Sequence, residues 1–450
     1  MSDSMLPQSP SRRRFVSVAA AAVAAGSLSQ LAFADPNLAI TDVTQPTGGD
    51  KTAIRPLRIH VPESQLIDLR RRIKATRWPD RETVTDDSQG VPLAMIQELA
   101  HHWSTDYDWR KVEARLNSLP NFVTEIDGVD IHFIHVRSKH ENAMPLVVTH
   151  GWPGSVIEQL KIIDPLTNPT AYGESASDAF HLVIPSLPGY GFSGKPREIG
   201  WGPERTARAW AVLMKRLGYA KFAAQGGDLG GILANVMARQ APPELIGIHV
   251  NFPATIPPEI AKALQVNDPA PAGLSAEEKL AYDQLSALSK RRAYALEQGT
   301  RPQTLYGLSD SPVALASWLL DHPDGYGQPA SALTSAVYGR TINGHSSGEL
   351  TRNDVLDDIT LYWLTNTGVS AARFYWESHF NFYAAADVSV PAAISAFPGE
   401  NYQAPRSWTQ RAYHNLVYYN RPETGGHFAA WEQPHLFAQE VRAGLRPVRG

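Results

Sequence analysis

The sequence predicts an α/β fold with a mostly parallel sheet, helices on both of its faces, and an inserted helical region. Short apolar runs that suit buried strands alternate with helical patterns, and they occupy residues 146–150, 180–185, 222–224 and 245–250. Such alternation is typical of parallel strands joined by crossover helices. It stops between residues 251 and 385, where helical patterns dominate. Two more runs, at 393–397 and 416–419, resume the sheet, and a closing helix is predicted at 435–445.

A glycine-rich turn, Gln225-Gly-Gly-Asp-Leu-Gly-Gly231, joins the third apolar run to a helical pattern. Small neighbours let such a turn stay tight and hold its central residue, here Asp228, above the sheet. This arrangement is typical of the nucleophile elbow of α/β-hydrolases, with Asp in place of the usual Ser. A carboxylate can attack the carbon of an epoxide or alkyl halide and form an ester. The alternative is an ordinary turn in which Asp228 caps the next helix.

The composition excludes several classes of protein. The chain has 450 residues, a net charge of −4 and no cysteine. This charge gives no basic footprint for nucleic acid. The lack of thiols excludes disulfides, thiolate catalysis and zinc–thiolate sites. We therefore predict no nucleic-acid partner. We also expect the protein to work without a cofactor or a metal, and the sequence leaves monomer and homodimer both open.

The first residues follow the pattern of an export signal. Arg12 and Arg13 are followed by Phe15, by a weakly hydrophobic Ala-rich run, and by a small-x-small cleavage site at 32–34. This order is typical of a twin-arginine signal. We expect residues 1–34 to be removed and the mature protein to be periplasmic or secreted, with no stable membrane anchor. A short helix or an uncleaved anchor is the alternative.

The region after the leader is first helical and then turns into a β-hairpin. The predicted elements are helices at 62–73, 92–103 and 109–116, and hairpin strands at 122–126 and 129–136. Ser64 is the predicted N-cap of the first helix, and an Asp-Gly pair indicates the hairpin turn. The predicted divisions are a flexible lead-in at 35–53, an N-terminal region at 54–140, a first core part at 141–251, a helical cap at 252–385 and a second core part at 386–450.

The loop after the strand at 146–150 carries the sequence His150-Gly-Trp-Pro. In α/β-hydrolases this loop supplies one backbone N–H of the oxyanion hole, and the residue after the nucleophile supplies the other. Here these N–H groups would belong to Trp152 and Leu229. A tight turn with a proline-fixed φ is the alternative interpretation of the same residues.

The predicted base and acid follow the last two strands. His427 lies in a Gly-rich loop just before the closing helix, and the order nucleophile, acid, base is the one this fold uses. Glu400 follows the strand at 393–397 and is the predicted acid. Asp387 is a poorer candidate because it precedes that strand.

These motifs, in this order, resemble the microsomal-type epoxide hydrolase family, including its N-terminal region. The resemblance covers residues from about 54 to 445. The segments that carry it are Thr76-Arg-Trp-Pro79, Tyr107-Asp-Trp-Arg110, His132-Phe-Ile-His135, His150-Gly-Trp-Pro-Gly-Ser155, Pro185-Ser-Leu-Pro-Gly-Tyr-Gly-Phe-Ser193, Gln225-Gly-Gly-Asp228, Asp310-Ser-Pro-Val313, Arg373-Phe-Tyr375 and Gly425-Gly-His-Phe-Ala-Ala430. The resemblance implies a hydrolase that converts an epoxide and water to a vicinal diol, with Asp228 as nucleophile, His427 as base and Glu400 as its partner.

The same family uses two cap tyrosines to hold and protonate the epoxide oxygen. Tyr375 matches one of them, and Tyr294, six residues before Thr300, matches the other. A positioned phenol can supply the proton that an alkoxide leaving group needs. The chain departs from the family at Leu229, where Trp is common, and in carrying an export leader in place of the membrane anchor of mammalian relatives. The implied partner is a small hydrophobic epoxide.

Three other functions fit parts of the pattern. Gly344-His-Ser-Ser-Gly348 matches the G-x-S-x-G motif of serine esterases, which makes Ser346 an alternative nucleophile. No convincing apolar strand precedes it, and Thr351 indicates a separately capped helix. A haloalkane dehalogenase would use the same Asp-His-acid triad but has no use for proton-donating tyrosines. A non-enzymatic binding protein would be expected to lose Asp228 or His427.

Overall fold

The chain is organised around one ten-stranded sheet in the computed structural model, which describes residues 40–43, 49–379 and 387–449. The predicted signal at 1–34 and part of the predicted lead-in lie outside the described residues. The strands are β1 Thr41–Val43, β2 Arg55–Ile59, β3 Asn121–Ile126, β4 Val129–Val136, β5 Met144–Thr149, β6 Phe180–Pro185, β7 Phe222–Gly226, β8 Leu245–Val250, β9 Ala392–Ser395 and β10 Leu416–Asn420.

The sheet has an antiparallel end and a parallel end. Its order is β1-β2-β3-β4-β6-β5-β7-β8-β9-β10. Pairs from β1 to β4, and the pair of β4 with β6, are antiparallel, whereas all pairs from β6 to β10 are parallel. The carboxyl ends of β5, β7, β8 and β9 therefore meet at one edge, which is where an open α/β sheet binds its ligands.

Helices fill the connections between the strands. They are α1 Glu63–Lys74, α2 Leu93–Thr105, α3 Trp109–Asn117, α4 Ile163–Thr167, α5 Pro203–Arg216, α6 Asp228–Gln240, α7 Pro258–Gln265, α8 Ala276–Arg291, α9 Ala293–Thr300, α10 Gly307–Asp310, α11 Pro312–Leu320, α12 Ser331–Tyr338, α13 Arg352–Thr365, α14 Gly368–Glu377, α15 Arg406–Ala412, α16 Ala429–Glu432 and α17 Pro434–Leu445. Short 3-10 turns at 156–162, 169–172, 176–178, 302–304 and 446–448 complete the set. Among the described residues, no helix combines the length and the apolar character that crossing a membrane requires.

The predicted strands and the predicted hairpin are confirmed. The apolar runs at 180–185 and 245–250 are β6 and β8 with the predicted bounds. The turn between β3 and β4 places Asp127 at φ 50° and Gly128 at φ 81°, as a two-residue hairpin turn with left-handed central residues requires.

The predicted N-cap of the first helix is wrong. Helix α1 begins at Glu63, so Ser64 lies inside its first turn, and no side chain caps its N-terminus. Pro62 precedes the helix in an extended conformation with φ −57° and ψ 137°. Because the proline ring sets φ near this value, the chain enters the helix directly after Pro62 without a hydroxyl cap.

The central strands form the core that carries the site. Side chains of β5, β6 and β7 are almost all fully buried. Helix α6 packs against β5, β7 and β8, and α17 packs against β8, β9 and β10. This accounts for the continuous apolar character of these strands, because parallel strands covered by helices have no polar face.

The N-terminal helices support the helical segment inserted between β8 and β9. Helices α1 and α2 pack against α11, and α3 packs against α13. Trp103 on α2 is buried and donates a hydrogen bond from Nε1 to Thr360 Oγ1 on α13, at 2.9 Å. Trp109 at the start of α3 is also buried. These two tryptophans therefore serve packing.

Candidate active site

Asp228 stands at a sharp turn between β7 and α6. Its φ is +46°, in the left-handed region that a non-glycine residue adopts only when its surroundings impose it. The turn depends on two close approaches of the backbone: a Cβ on Gly226 would lie 2.1 Å from the Gly230 carbonyl, and one on Gly230 would lie 2.0 Å from the Thr149 oxygen. Glycine is therefore required at both positions, and the elbow predicted from the sequence is present.

Two backbone N–H groups contact the Asp228 carboxylate. The Trp152 N–H donates to Asp228 Oδ1 at 2.9 Å, and the Leu229 N–H also donates to this carboxylate. Burial raises the pKa of Asp228 above its usual 3.8, while His427 and these two N–H groups act in the opposite direction. The donors that the sequence suggests for an oxyanion hole therefore point at the carboxyl group itself.

His427 links Asp228 to a second carboxylate. Its Nε2 lies 3.6 Å from Asp228 Oδ2, and its Nδ1 lies 2.5 Å from Glu400 Oε1. An isolated parallel bridge between Gly399 and Gly426 ties together the two loops that carry these residues. Burial alone would lower the pKa of His427, but the charges of Glu400 and Asp228 and the hydrogen bond to Glu400 raise it to about 9.

Glu400, and not Asp387, is the acid beside His427. Its side chain is 1% exposed, and Oε1 also accepts the Asn401 N–H at 2.7 Å. Asp387 lies on the surface, where it contacts His414 instead. A buried carboxylate bonded to Nδ1 fixes the tautomer and orientation of an imidazole, and it leaves Nε2 directed at the nucleophile.

Two tyrosines from the helical insertion lie over the elbow. Tyr294 on α9 and Tyr375 on α14 have ring centroids 6.0 Å apart, and both rings contact the Trp152 indole, at 4.6 and 5.9 Å. Burial raises the pKa of Tyr375 well above 10, so its phenol keeps its proton. A narrow cavity of about 30 Å³ adjoins these rings and Asp228; its lining residues are Asp228, Leu229, Ile232, Phe252, Leu288, Arg292, Tyr294, Ala295, Tyr375 and Asn401.

Two titratable side chains near the site have no counterpart in the sequence prediction. His322, just after α11, is fully buried, and its ring centroid lies 4.6 Å from that of His427. Burial and the neighbouring His427 hold the pKa of His322 well below 6.5, and the Pro323 carbonyl opposes them only in part. Burial raises the pKa of Glu158 to about 8. Neither residue lies in a motif, so only the fold brings them to the site.

Ser346 has none of the surroundings of an esterase nucleophile. It is exposed in the connection between α12 and α13, and its Oγ accepts the Gly348 N–H at 3.1 Å. No named strand leads into it within the described part of the chain. Thr351 caps α13 through a capping box, as predicted. The serine esterase alternative therefore loses its structural support.

Comparison with known proteins decides the family. Residues 54–159 match the model of the epoxide hydrolase N terminus, and residues 144–263 match that of the alpha/beta hydrolase fold. Epoxide hydrolase 1 of Oryctolagus cuniculus is 32% identical over 415 residues, which cover 88% of this chain and 90% of the relative. The chain belongs to the epoxide hydrolase family.

Other members of the family support the same assignment. A Stigmatella aurantiaca (strain DW4/3-1) member is 48% identical over 402 residues, covering 88% of this chain and 86% of its own length. The crystal structure of juvenile hormone epoxide hydrolase from the silkworm Bombyx mori superposes with a TM-score of 0.76 at 30% identity, covering 88% of this chain and 95% of the other. The chain is thus an epoxide hydrolase with the α/β-hydrolase fold. The dehalogenase alternative has no better support than this assignment.

Proposed function

We propose that this epoxide hydrolase opens small hydrophobic epoxides to vicinal diols through an ester formed on Asp228. The observation that carries the proposal is the position of the Asp228 carboxylate. It lies on a left-handed elbow, it accepts the Trp152 N–H, and His427 Nε2 is 3.6 Å away. Across the cavity, Tyr294 and Tyr375 supply two phenols. The nucleophile and both proton donors thus line one cavity, and the base lies beside the nucleophile.

The first step forms the ester. Tyr294 and Tyr375 donate hydrogen bonds to the oxirane oxygen while an oxygen of Asp228 attacks a ring carbon from the opposite side. The ring C–O bond breaks, the new C–O bond of a hydroxyalkyl ester forms, and the negative charge passes from the carboxylate to the former oxirane oxygen. A phenol then gives that oxygen its proton.

The second step hydrolyses the ester. Neutral His427, oriented by Glu400, takes a proton from a water molecule, and the resulting hydroxide attacks the Asp228 carboxyl carbon. The N–H groups of Trp152 and Leu229 bond to the oxyanion that develops. Collapse breaks the bond between the carboxyl carbon and the alkyl oxygen, and His427 returns its proton to the departing diol. Asp228 is left as the acid and ionises, and the phenolate left by the first step takes up a proton, so the resting site is restored. One diol oxygen therefore comes from Asp228.

The proposed substrate class is tested with the purified full chain and a panel of styrene-like, terpene-like and fatty-acid epoxides, with matched terminal chloroalkanes. We expect diol from at least one epoxide class and no chloride release above background. We expect this outcome because Tyr294 and Tyr375 can protonate the oxygen of an opened epoxide, whereas a halide leaving group needs no proton. Chloride release without diol formation would instead support the dehalogenase alternative.

We predict that the ester-hydrolysis rate falls in acid. In the resting site the charges of Glu400 and Asp228 raise the pKa of His427 to about 9, so the ring is protonated at neutral pH. Esterification removes the Asp228 charge, so the pKa of His427 falls and the ring can lose its proton. Below that lowered pKa, His427 stays charged and cannot accept a proton from water, so the rate should drop about tenfold per pH unit.

Single-turnover hydrolysis measured across pH checks this prediction. The Glu400→Gln variant provides the comparison because the Glu400 charge is a main cause of the raised pKa. The midpoint of its pH–rate profile should therefore lie at lower pH than that of the wild type. Its maximal hydrolysis rate should also be lower, because the His427 ring is less firmly oriented. A flat pH profile in both proteins would show that no histidine acts as base in this step.

We predict that Tyr375→Phe slows ester formation by about 10²-fold or more, since it removes a proton donor and keeps the ring. Hydrolysis of the ester should be unchanged, because the phenol acts only on the oxirane oxygen. Tyr294→Phe should act in the same direction. The control is Tyr306→Phe, which changes an exposed tyrosine of the same helical insertion. Stopped-flow measurement of the two steps checks this, and equal rates in Tyr375→Phe and the control would remove the tyrosine from the mechanism.

We further propose that the protein is exported by the twin-arginine route and removes reactive epoxides outside the cytoplasm. The support is the order of Arg12, Arg13, Phe15 and the small-x-small site at 32–34. A reporter fused to the first 40 residues should be exported, and export should stop when both arginines are changed to lysine. Equal export of the two fusions would contradict the assignment.

A further inference from the structure

His322 is a buried histidine that the proposed reaction does not use. Its side chain has no exposed surface, and neither ring nitrogen has a hydrogen-bond partner of good geometry among the described residues. A buried polar atom without a partner loses its hydrogen bonds to water and gains none in return, so proteins rarely keep one without a reason. The ring also faces the reacting groups, with its centroid 4.6 Å from that of His427 and 5.2 Å from that of Tyr294.

Three ligand atoms converge at this point. One atom each from Asp228, His322 and His427 lie within 4.8 Å of one another. Asp228 Oδ2 and His427 Nε2 are 3.6 Å apart. Two ligands at about 2.1 Å from a tetrahedral zinc ion are about 3.4 Å apart, and two imidazoles on such an ion have centroids about 5 Å apart. The ring centroids of His322 and His427 already lie near this separation, whereas the ligand atoms, which lie within 4.8 Å of one another, would have to close by up to about 1.4 Å when an ion binds.

The surroundings complete a metal site. Glu400 bonds to Nδ1 of His427 and leaves Nε2 for a ligand bond, which is the carboxylate–histidine arrangement that orients histidine ligands in zinc proteins. Asp228 borders the cavity, so an ion can arrive by the route that a substrate uses. Two imidazole nitrogens and one carboxylate suit zinc, and they leave the fourth position open.

We infer that Asp228, His322 and His427 form a binding site for Zn²⁺ and similar borderline divalent cations, and that the bound ion inhibits the enzyme. The ion is not a cofactor, because it occupies the groups that react. It binds the Asp228 carboxylate and displaces the Nε2 proton of His427, so it competes with the epoxide. The inhibition rests on the proposed function, whereas the binding rests only on the geometry.

Binding is measured without substrate on the full chain carrying no polyhistidine tag. Cobalt(II) is the probe, since its visible absorption reports four-coordinate binding, and Zn²⁺ displaces it in a competition titration. We expect one site in the wild type. His322→Phe keeps a ring of similar volume and should lower the affinity for both ions at least tenfold. The control is His414→Gln, which removes an exposed histidine paired with Asp387 and should leave the affinity unchanged.

His322→Gln serves as a second variant, with circular dichroism and thermal unfolding to verify the fold of each protein. No cobalt spectrum in the wild type, or equal affinity in the wild type and a folded His322 variant, would overturn the inference. Zn²⁺ should also raise the apparent KM for an epoxide without changing kcat, with full recovery on addition of a chelator. If the proposed function is wrong instead, the result is different: a variant that lacks the Asp228 carboxylate still forms diol.

Discussion

Replacing His427 by Gln is expected to arrest the enzyme as a covalent ester on Asp228. Glutamine can still accept or donate a hydrogen bond in this position, but it cannot take a proton from water at neutral pH. Ester formation needs the Asp228 carboxylate and the two phenols, and it does not need a base. The first step should therefore continue while the second stops, so that one substrate molecule remains bound per chain.

Intact-mass spectrometry after incubation with an epoxide reads this result directly. The mass should rise by that of one substrate, and peptide mapping should place the addition on the segment that contains Asp228. His414→Gln is the matched control, because it makes the same change at an exposed histidine and should leave the protein unmodified after turnover. A His427→Gln variant that binds substrate and shows no added mass would remove the ester from the mechanism.

Removal of the nucleophile should abolish both steps. Asp228→Ala is expected to lower diol formation by at least about 10⁴-fold, the scale seen when the attacking group of a covalent mechanism is lost. Alanine at φ +46° also adds backbone strain. Asp228→Asn is therefore the better-matched variant, because Asn tolerates the left-handed region and keeps an oxygen that can accept the Trp152 N–H.

The control for this loss is Ser346→Ala. Ser346 is exposed, and no named strand of the described residues leads into it, so the variant should retain wild-type activity. Full loss of activity in Ser346→Ala, together with activity in Asp228→Asn, would return the serine esterase alternative to consideration. Thermal unfolding of both variants verifies that the loss is chemical, since neither substitution removes a buried apolar contact.

Much of this fold and site could be predicted because the informative signals are local. The apolar runs that become β6 and β8 keep their bounds, since parallel strands covered by helices are apolar along their whole length. The elbow could be recognised from its glycines, which the close approach of Gly230 to Thr149 requires. Candidates for acid and base followed from chain order, and the structure places Glu400 and His427 in contact.

The rest depends on contacts between distant parts of the chain. Tyr294 and Tyr375 come from two helices separated by more than sixty residues, and only the packing of α9 on α14 brings their rings together. The position of His322 beside His427 has no local signal, because a lone histidine after a helix is usually a surface residue. The prediction of Ser64 as N-cap is wrong for a local reason, because Pro62 determines how the chain enters α1.

The origin of the diol oxygen tests the covalent role of Asp228 most directly. One turnover is run in ¹⁸O-labelled water with enzyme in excess over epoxide, and both diol and protein are then analysed by mass spectrometry. We predict unlabelled diol and one ¹⁸O atom in the Asp228 carboxyl group, because the released oxygen comes from the side chain and water replaces it. Label in the diol after the first turnover, with none in the protein, would mean that water attacks the epoxide directly and would contradict the covalent role of Asp228.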